Sequence, residues 1–438
     1  MTTRPRVKTL TLLSAMALIG LSPAGAGPLA GQTCPDPARI TRGFSLPMAA
    51  VRYLADDALG GRLAGSADAR CAGDYIAATF ERLGLEPGGD SATFFQSFQL
   101  ASTLNPDVTG TGRNVIAVIE GRDPVLRDQY IVIGAHYDHL GHGEFDSLAP
   151  SERGRIHNGA DDNASGVGAL LRVAQLLMQA PAPARSILFI AFTGEESGLL
   201  GSANFVAHPT VPRESIVGMI NMDMVGRLGT APLIVNGVDT AEEWRSLLAP
   251  AAQHAGIELS MGGEGYGPSD QTSFYGRDIP VLHFFTNVHG DYHKPTDDWE
   301  KIDGAGIGKV ADIVTEVAAG AADREPVLTL VRGQGTPPAP AGSEAGRGYG
   351  PRLGIVPDFT PVDRGVPLSG VSPGSPAEEA GLQAGDVIVA FGDHELADLM
   401  ALMEALRSHK PGDVVQIHLL RDGKEMTVEA KLGASSTR

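Results

Sequence analysis

His157-Asn158-Gly159-Ala160-Asp161-Asp162-Asn163-Ala164-Ser165-Gly166 sets two adjacent carboxylates in a turn rich in glycine and asparagine. A helix-patterned segment follows at once, with Val167, Leu170, Leu171, Ala174, Leu177 and Met178 at helical spacing. One carboxylate is thereby held at or just before a helix N-terminus, where the dipole favours negative charge. As pure structure the pair reads as an Asp N-cap with a solvated neighbour. Two adjacent acids gain little that way. They make sense together where a cation sits between them and other ligands.

Around this turn, strands and helices alternate. Strand patterns cover 130–135, 186–192, 215–222 and 279–285; helix patterns cover 164–179, 198–207, 242–255 and 303–322. The alternation predicts an α/β fold, a mixed, mostly parallel sheet sandwiched by helices. Upstream, 46–59 and 72–83 carry helical periodicity on either side of Gly60-Gly61-Arg62-Leu63-Ala64-Gly65-Ser66, and 94–100 and 114–120 read as strands. In open α/β sheets, ligands bind beyond the carboxyl ends of the strands.

The polar chemistry falls at those ends. His136-Tyr137-Asp138 follows the first strand of the alternating region, and Thr193-Gly194-Glu195-Glu196 follows the second. Asp223 follows the third, and His289-Gly290-Asp291-Tyr292-His293 lies beyond the fourth. Taken alone, a Glu pair opening a helix compensates the dipole. A carboxylate at the end of a buried strand, as in Asn221-Met222-Asp223-Met224, needs a partner or a cation. The joint occurrence points to metal. Cysteine is present only at 34 and 71, which excludes a C-x-x-C zinc site and leaves His, Asp and Glu as ligands. His139, His142, His208 and His254 read as surface residues and are not assigned to the site.

The runs Gly134-Ala135-His136-Tyr137-Asp138-His139-Leu140-Gly141, Asn158 to Gly166, Phe192 to Ser202, Asn221 to Met224 and Asp291 to Asp297 resemble the zinc aminopeptidase family called M28, in the right order. The stretch Gly60 to Ser66, with Asp74-Tyr75-Ile76 and Leu83-Gly84-Leu85, is similar to that family's amino-terminal segment. The resemblance implies two zinc ions per chain. Asp162 would bridge them; His136 and Asp223 would complete one site, Glu196 and His293 the other. Asp138 would orient His136, and Glu195 would be the general base. Tyr266 matches a family tyrosine that assists the oxyanion, its other reading being a loop aromatic. Ser269-Asp270-Gln271 departs from the Ser-Asp-His of many relatives. The implied activity is hydrolysis of N-terminal residues from peptides, with amino- versus carboxypeptidase action left open. Two other readings stand beside it: a glutaminyl-cyclase-like acyltransferase using one zinc, and a non-catalytic peptide-binding adaptor.

The remaining chain sets the context. The 438 residues suffice for roughly two to three domains. A net charge of −18 argues against nucleic acid as partner and fits cation binding. Residues 1–26 read as an export signal, with Arg4, Arg6 and Lys8 ahead of a short apolar core and Ala24-Gly25-Ala26 offering a cleavage point. An uncleaved anchor is the alternative. With the signal removed no membrane span is expected, and the mature chain would be periplasmic or extracellular. Export would favour a Cys34–Cys71 disulfide; two unpaired thiols are the other reading. The expected division is a signal over 1–26, a peptidase domain over 27–324, a Gly/Pro/Ala linker over 325–350 and a compact unit over 351–433. In that last unit Arg352-Leu353-Gly354-Ile355, Gly370 to Ala377 and Ala380 to Ile388 resemble a bacterial PDZ domain. Its Leu353-Gly354-Ile355 turn would present N–H groups to a peptide carboxylate, and 397–408 would be the helix lining the groove.

Overall fold

The computed structural model describes residues 1–2, 33–332 and 351–433, apart from 103, 264, 352, 359–361, 363, 372–373, 398–400, 403–404 and 407. The signal-like segment thus lies almost wholly outside the described residues, as does the Gly/Pro/Ala stretch over 333–350. No helix among the described residues is long and apolar enough to cross a membrane. Both cysteines are disulfide-bonded and none is free.

A nine-stranded sheet organises the larger unit. Its strands are β1 (Glu86–Pro87), β2 (Phe95–Gln99), β3 (Thr111–Ile119), β4 (Tyr130–His136), β5 (Ser186–Phe192), β6 (Ile216–Met222), β7 (Leu233–Asn236), β8 (Leu259–Met261) and β9 (Val281–Phe285). They run in the order β1-β3-β5-β4-β6-β9-β7-β8, with β2 also on β3. The central four, β5-β4-β6-β9, are parallel, while β3 and β7 join antiparallel on either side. Every residue of β5 is buried. That suits its near-continuous apolar run, since a central parallel strand is covered on both faces.

Successive side chains on a strand point to opposite faces, so each strand feeds two cores. Ile131 and Ile133 of β4 join the larger one, with Val51 of α2 (Met48–Leu54), Phe80 of α3 (Ala67–Leu83), Leu170 of α4 (Gly166–Gln179), Trp244 of α6 (Trp244–Ala255) and Val314 of α8 (Gly304–Asp323). Val132 joins the other, with Phe205 of α5 (Leu200–Ala207) and Phe274 of α7 (Gln271–Tyr275). The short α1 (Pro37–Ile40) precedes them. The result is the expected helix–sheet–helix sandwich.

Some boundaries differ from the sequence reading. The helix expected over 46–59 stops at Leu54, and Asp57–Leu59 form a 3₁₀ turn capped by Asp56, whose carboxylate accepts the Ala58 amide at 3.0 Å. Helix α3 begins earlier than 72 because the Ser66 hydroxyl caps it through the Ala69 amide, 3.0 Å away. Strands β7 and β8 were not anticipated; at four and three residues they are too short to display a period. Beyond α8 the chain stays on this unit: Leu328 is buried, Leu330 bridges Ala241, and Glu243 accepts the Thr329 amide at 2.8 Å.

The second sheet orders β10 (Ile355–Pro357), β11 (Val366–Val371), β12 (Val387–Phe391), β14 (Val414–Arg421) and β15 (Lys424–Lys431), with β13 (His394–Glu395) beside β12. Its own core gathers Leu353, Leu368, Ile388, Phe391, Leu402 and Ile417. The Ser375 hydroxyl caps α9 (Pro376–Glu379) and packs against Gly354, where φ is +83° and an added Cβ would lie 2.3 Å from the Ser375 Cβ. A side chain is excluded there on both counts. In the expected groove helix, Ala401, Leu402, Ala405 and Leu406 are helical.

Candidate metal centre

Strand order reverses about β4: β5 lies on one side and β6 on the other. The crevice beyond these carboxyl ends is where open α/β sheets bind ligands. His136 is the last residue of β4, Glu195 and Glu196 follow β5, Asp223 follows β6, and His293 lies on the loop after β9. Asp162 comes from the turn before α4, where its φ of −103° and ψ of 95° leave the helical region.

The two oxygens of Asp162 face two different histidines. Oδ1 lies 3.3 Å from His136 Nε2, and Oδ2 lies 3.2 Å from His293 Nε2. Asp223 Oδ1 is 3.4 Å from the same His136 nitrogen, and Glu196 Oε2 is 3.2 Å from the same His293 nitrogen. The five residues thus form two donor groups that share one carboxylate. His136, Asp162 and Glu196 offer donor atoms within 4.8 Å of one another, and so do His136, Glu195 and Asp223. His136 Nε2 and Asp223 Oδ1 are buried and lack a hydrogen-bond partner. Lone pairs facing lone pairs in a buried pocket call for a cation or a proton, and the set of imidazole and carboxylate donors suits zinc. The residues present therefore fit the implied metal.

The supporting contacts orient each donor. His136 Nδ1 faces the Asp138 carbonyl oxygen at 3.2 Å, with the Asp138 carboxylate farther off at 3.7 Å. The orienting partner is thus first the main chain of Asp138; its carboxylate accepts the Glu195 amide at 3.2 Å instead. His293 Nδ1 faces the Asp146 carbonyl oxygen at 3.0 Å. The Ser269 hydroxyl donates to Asp223 Oδ2 at 2.6 Å, which leaves Oδ1 for the His136 side. Asp161 differs from its neighbour. Its Oδ1 accepts the Gly226 amide at 2.7 Å and its Oδ2 meets His289 Nε2 at 3.0 Å, so neither oxygen points at the histidine pair.

Glu195 stands apart from the five. Its Oε2 is 3.9 Å from His136 Nε2, the longest of these separations. Burial pushes its carboxyl well above the ordinary range; His136 opposes this, while Glu196, Asp223 and Asp270 add to it. For Asp162, burial also favours the proton, but the imidazoles of His136 and His293 beside it hold its carboxyl well below the usual range. Burial opposes a charge on His136, yet Asp223 and Glu195 raise its proton affinity well above the ordinary value. The two glutamates are adjacent in sequence and opposite in character: burial acts on both, but His293 and His139 bring Glu196 down to about 2.

Two assignments change. His139, set aside as a surface residue, is fully buried and its Nδ1 lies 2.6 Å from Glu196 Oε1. The turn at Gly141, where φ is +62°, folds the segment back, with the Gly141 amide donating to the Gly61 carbonyl at 3.0 Å. The signal was its place three residues after His136. Tyr266 packs edge-on to Tyr275 with centroids 4.7 Å apart, beside the apolar core that contains Phe274 and Val281. Asp297, quoted within a motif but given no role, accepts the amides of Asp161 and Asp162 at 2.8 and 3.1 Å and so fixes the turn between the two acids. The loop before His293 also reaches the second sheet, where the Asn287 amide donates to the Asp358 carboxylate at 2.9 Å.

Comparison with known proteins bears on the fold that carries this geometry. Residues 114–318 match peptidase family M28, and residues 351–432 match the PDZ domain. Aminopeptidase YwaD of Bacillus subtilis (strain 168) is 28% identical over 251 residues, covering 54% of this chain and 50% of that protein. The chain spans about half the length of the curated relatives it matches. Among solved structures, a Zn-dependent exopeptidase from Parabacteroides distasonis aligns with a TM-score of 0.50 at 23% identity, over 62% of this chain and 96% of that one. Porphyromonas gingivalis glutaminyl cyclase aligns with a TM-score of 0.51 at 22% identity, over the same shares. These likenesses establish the fold. The chain thus holds a region that matches peptidase family M28, followed by one that matches the PDZ domain.

Proposed function

We propose that this chain is an exported zinc aminopeptidase that removes N-terminal residues from peptides at a two-zinc centre. The observation that carries the reading is Asp162, whose two oxygens lie 3.3 and 3.2 Å from the histidines of two separate donor groups. His136 and Asp223 would hold one ion, Glu196 and His293 the other, and Asp162 both. When bound, such ions polarise a peptide carbonyl and acidify a water.

The chain's own residues supply the rest. Glu195, kept out of the closest donor pairs and raised in proton affinity by burial, takes the proton of the attacking water and returns it to the leaving amine. The Asp138 carboxylate holds the Glu195 amide and so fixes where that base stands. A substrate ammonium is drawn to the acidic pocket. Met224, Ile234 and Phe285, with Val288 and Tyr292 against them, form an apolar cluster next to Asp223 and His293, which suits an apolar first residue. Export rests on the basic and then apolar start and on the oxidised cysteines. β10 stands at the end of its sheet's strand order, and that edge would accept a peptide strand, as PDZ domains do.

A peptide series with free and acetylated N-termini tests the reading, together with elemental analysis for zinc per chain. Free termini should be cleaved residue by residue and acetylated ones spared, with two zinc ions per chain. Equal cleavage of both would sink the aminopeptidase assignment. One zinc, with cyclisation of N-terminal glutamine and no hydrolysis, would establish the acyltransferase reading instead.

A further inference from the structure

Arg62 is fully buried, and its acceptors are main-chain carbonyls from three segments. Nε donates to Tyr137 O at 2.7 Å, Nη1 to Asn158 O at 2.6 Å and also to Leu54 O, and Nη2 to Gly159 O at 3.1 Å. Its own carbonyl accepts the His139 amide at 3.3 Å. The neighbouring Gly61 has φ of +73°, and a Cβ there would lie 2.3 Å from Gly141 O and 2.6 Å from His157 O. The Gly61-Arg62 pair is therefore wedged between two loops. One runs on from His136 and carries Asp138 and His139. The other leads into Asp162.

We infer that Arg62 is the positioning residue of the metal centre: one guanidinium staples the loop bearing His136 to the loop bearing Asp162 and lends the centre a permanent buried positive charge. Only arginine offers this. Its planar fork reaches several acceptors in fixed directions, whereas lysine presents a single flexible point charge. None of the described hydrogen bonds of Arg62 goes to a carboxylate. Its charge is left to act on the acids around it. Burial lowers its pKa to about 10, with Asp138, Asp162, Asp297 and Glu196 working the other way, so it remains a cation at neutral pH. The inference rests on the two-zinc reading.

Arg185 provides the control. It too is fully buried and donates to the Ala322 and Glu325 carbonyls at 3.3 and 3.0 Å, but it lies at the start of β5, the opposite end from the site. Full-length Arg62→Ala, Arg62→Lys and Arg185→Ala would be compared with the parent chain. Zinc affinity is read by competition with a chromophoric chelator, folding by circular dichroism and thermal melts. Arg62→Ala should weaken zinc binding on the order of 10–100-fold, the scale seen when partners behind metal ligands are removed. Sub-denaturing guanidinium ion should restore part of it, and Arg62→Lys should fall between. Arg185→Ala should melt earlier with zinc affinity unchanged. If Arg62→Ala does not fold, Arg62→Lys decides. Parent-like zinc affinity in a folded Arg62 variant overturns the inference, as does equal weakening in Arg185→Ala. A parent chain that binds no zinc would instead overturn the function proposed above.

Discussion

The two folded regions treat a buried carboxylate in opposite ways. In the PDZ domain Asp386 is fully buried, and Arg421 meets it with two nitrogens, each 2.7 Å from one oxygen. Burial works against that charge, but Arg421 and the Gln383 amide hold the carboxyl below its ordinary value. In the peptidase domain Asp138, Asp162, Asp223 and Asp270 are buried around one crevice, and several of their oxygens have no partner among the described residues. A buried charge must be paired or coordinate a metal. Asp386 is paired outright by Arg421, whereas at the crevice Arg62 lends a positive charge without touching a carboxylate and leaves a place for further counter-charge from solution. The difference separates a closed ion pair from an open cation site, and only an open cation site can act on a substrate.

The comparison breaks most visibly at Glu195. Glu195→Gln should keep zinc and lower kcat by on the order of 10²–10⁴-fold, the usual scale for general acid–base catalysis. Near-parental turnover would mean the base has been misassigned; loss of zinc would make Glu195 a ligand. Next come the paired acids. Asp162→Ala should lose zinc from both positions, whereas Asp161→Ala should keep more of it and lose stability, about 1–3 kcal/mol for the unpaired Gly226 amide and His289 ring. Equal zinc retention in the two would show that the wrong acid was chosen.

On the PDZ side, Arg421→Ala should cost about 1–3 kcal/mol by leaving Asp386 unpaired, without altering zinc content. Arg421 is about a fifth exposed, so water relieves part of the loss. A double variant Arg421→Met with Asp386→Leu should recover most of it, since an apolar pair can replace a buried ion pair at little cost. Chemical denaturation of the isolated and combined variants would read both. The smallest effect concerns the join between the regions. A chain ending at Arg332 keeps the Leu328 and Leu330 contacts and should retain zinc and cleave dipeptides at a similar rate. Long peptides with an apolar C-terminus should lose more, through KM, if the PDZ domain tethers them. Loss of dipeptide cleavage in a folded, zinc-loaded short chain would mean that the Asn287–Asp358 contact serves the active site directly.

Much of this was legible in the sequence for a physical reason. Metal-binding groups sit at strand ends, and strands of β4 and β5 type declare themselves by unbroken apolar runs. The two adjacent acids were separable by their order before Asn163-Ala164; in the fold Asp162 faces the two histidines and Asp161 the Gly226 amide and His289. What escaped depended on turns. His139 reaches Glu196 just past the end of β4, where the Arg62 carbonyl holds its amide, and no spacing rule reveals that. Arg62 sat in a recognised stretch, but its carbonyl partners at 54, 137, 158 and 159 carry no side-chain signature. Tyr266, whose motif position suggests a catalytic role, packs edge-on to Tyr275.

The parallel quartet at the centre of the sheet has a kinetic consequence. Pairing Met222 with Phe284, or His136 with Phe192, joins residues far apart in the chain, with a crossover between each pair. Such distant closures are slow, because the entropy of each loop is spent before any contact rewards it. His136 and His293 cannot face Asp162 until β4 and β9 have both taken their places beside β6. The donor set therefore assembles late, after the sheet has condensed. Zinc uptake should trail burial of Trp244 in a refolding trace, and added zinc should slow unfolding far more than it speeds folding.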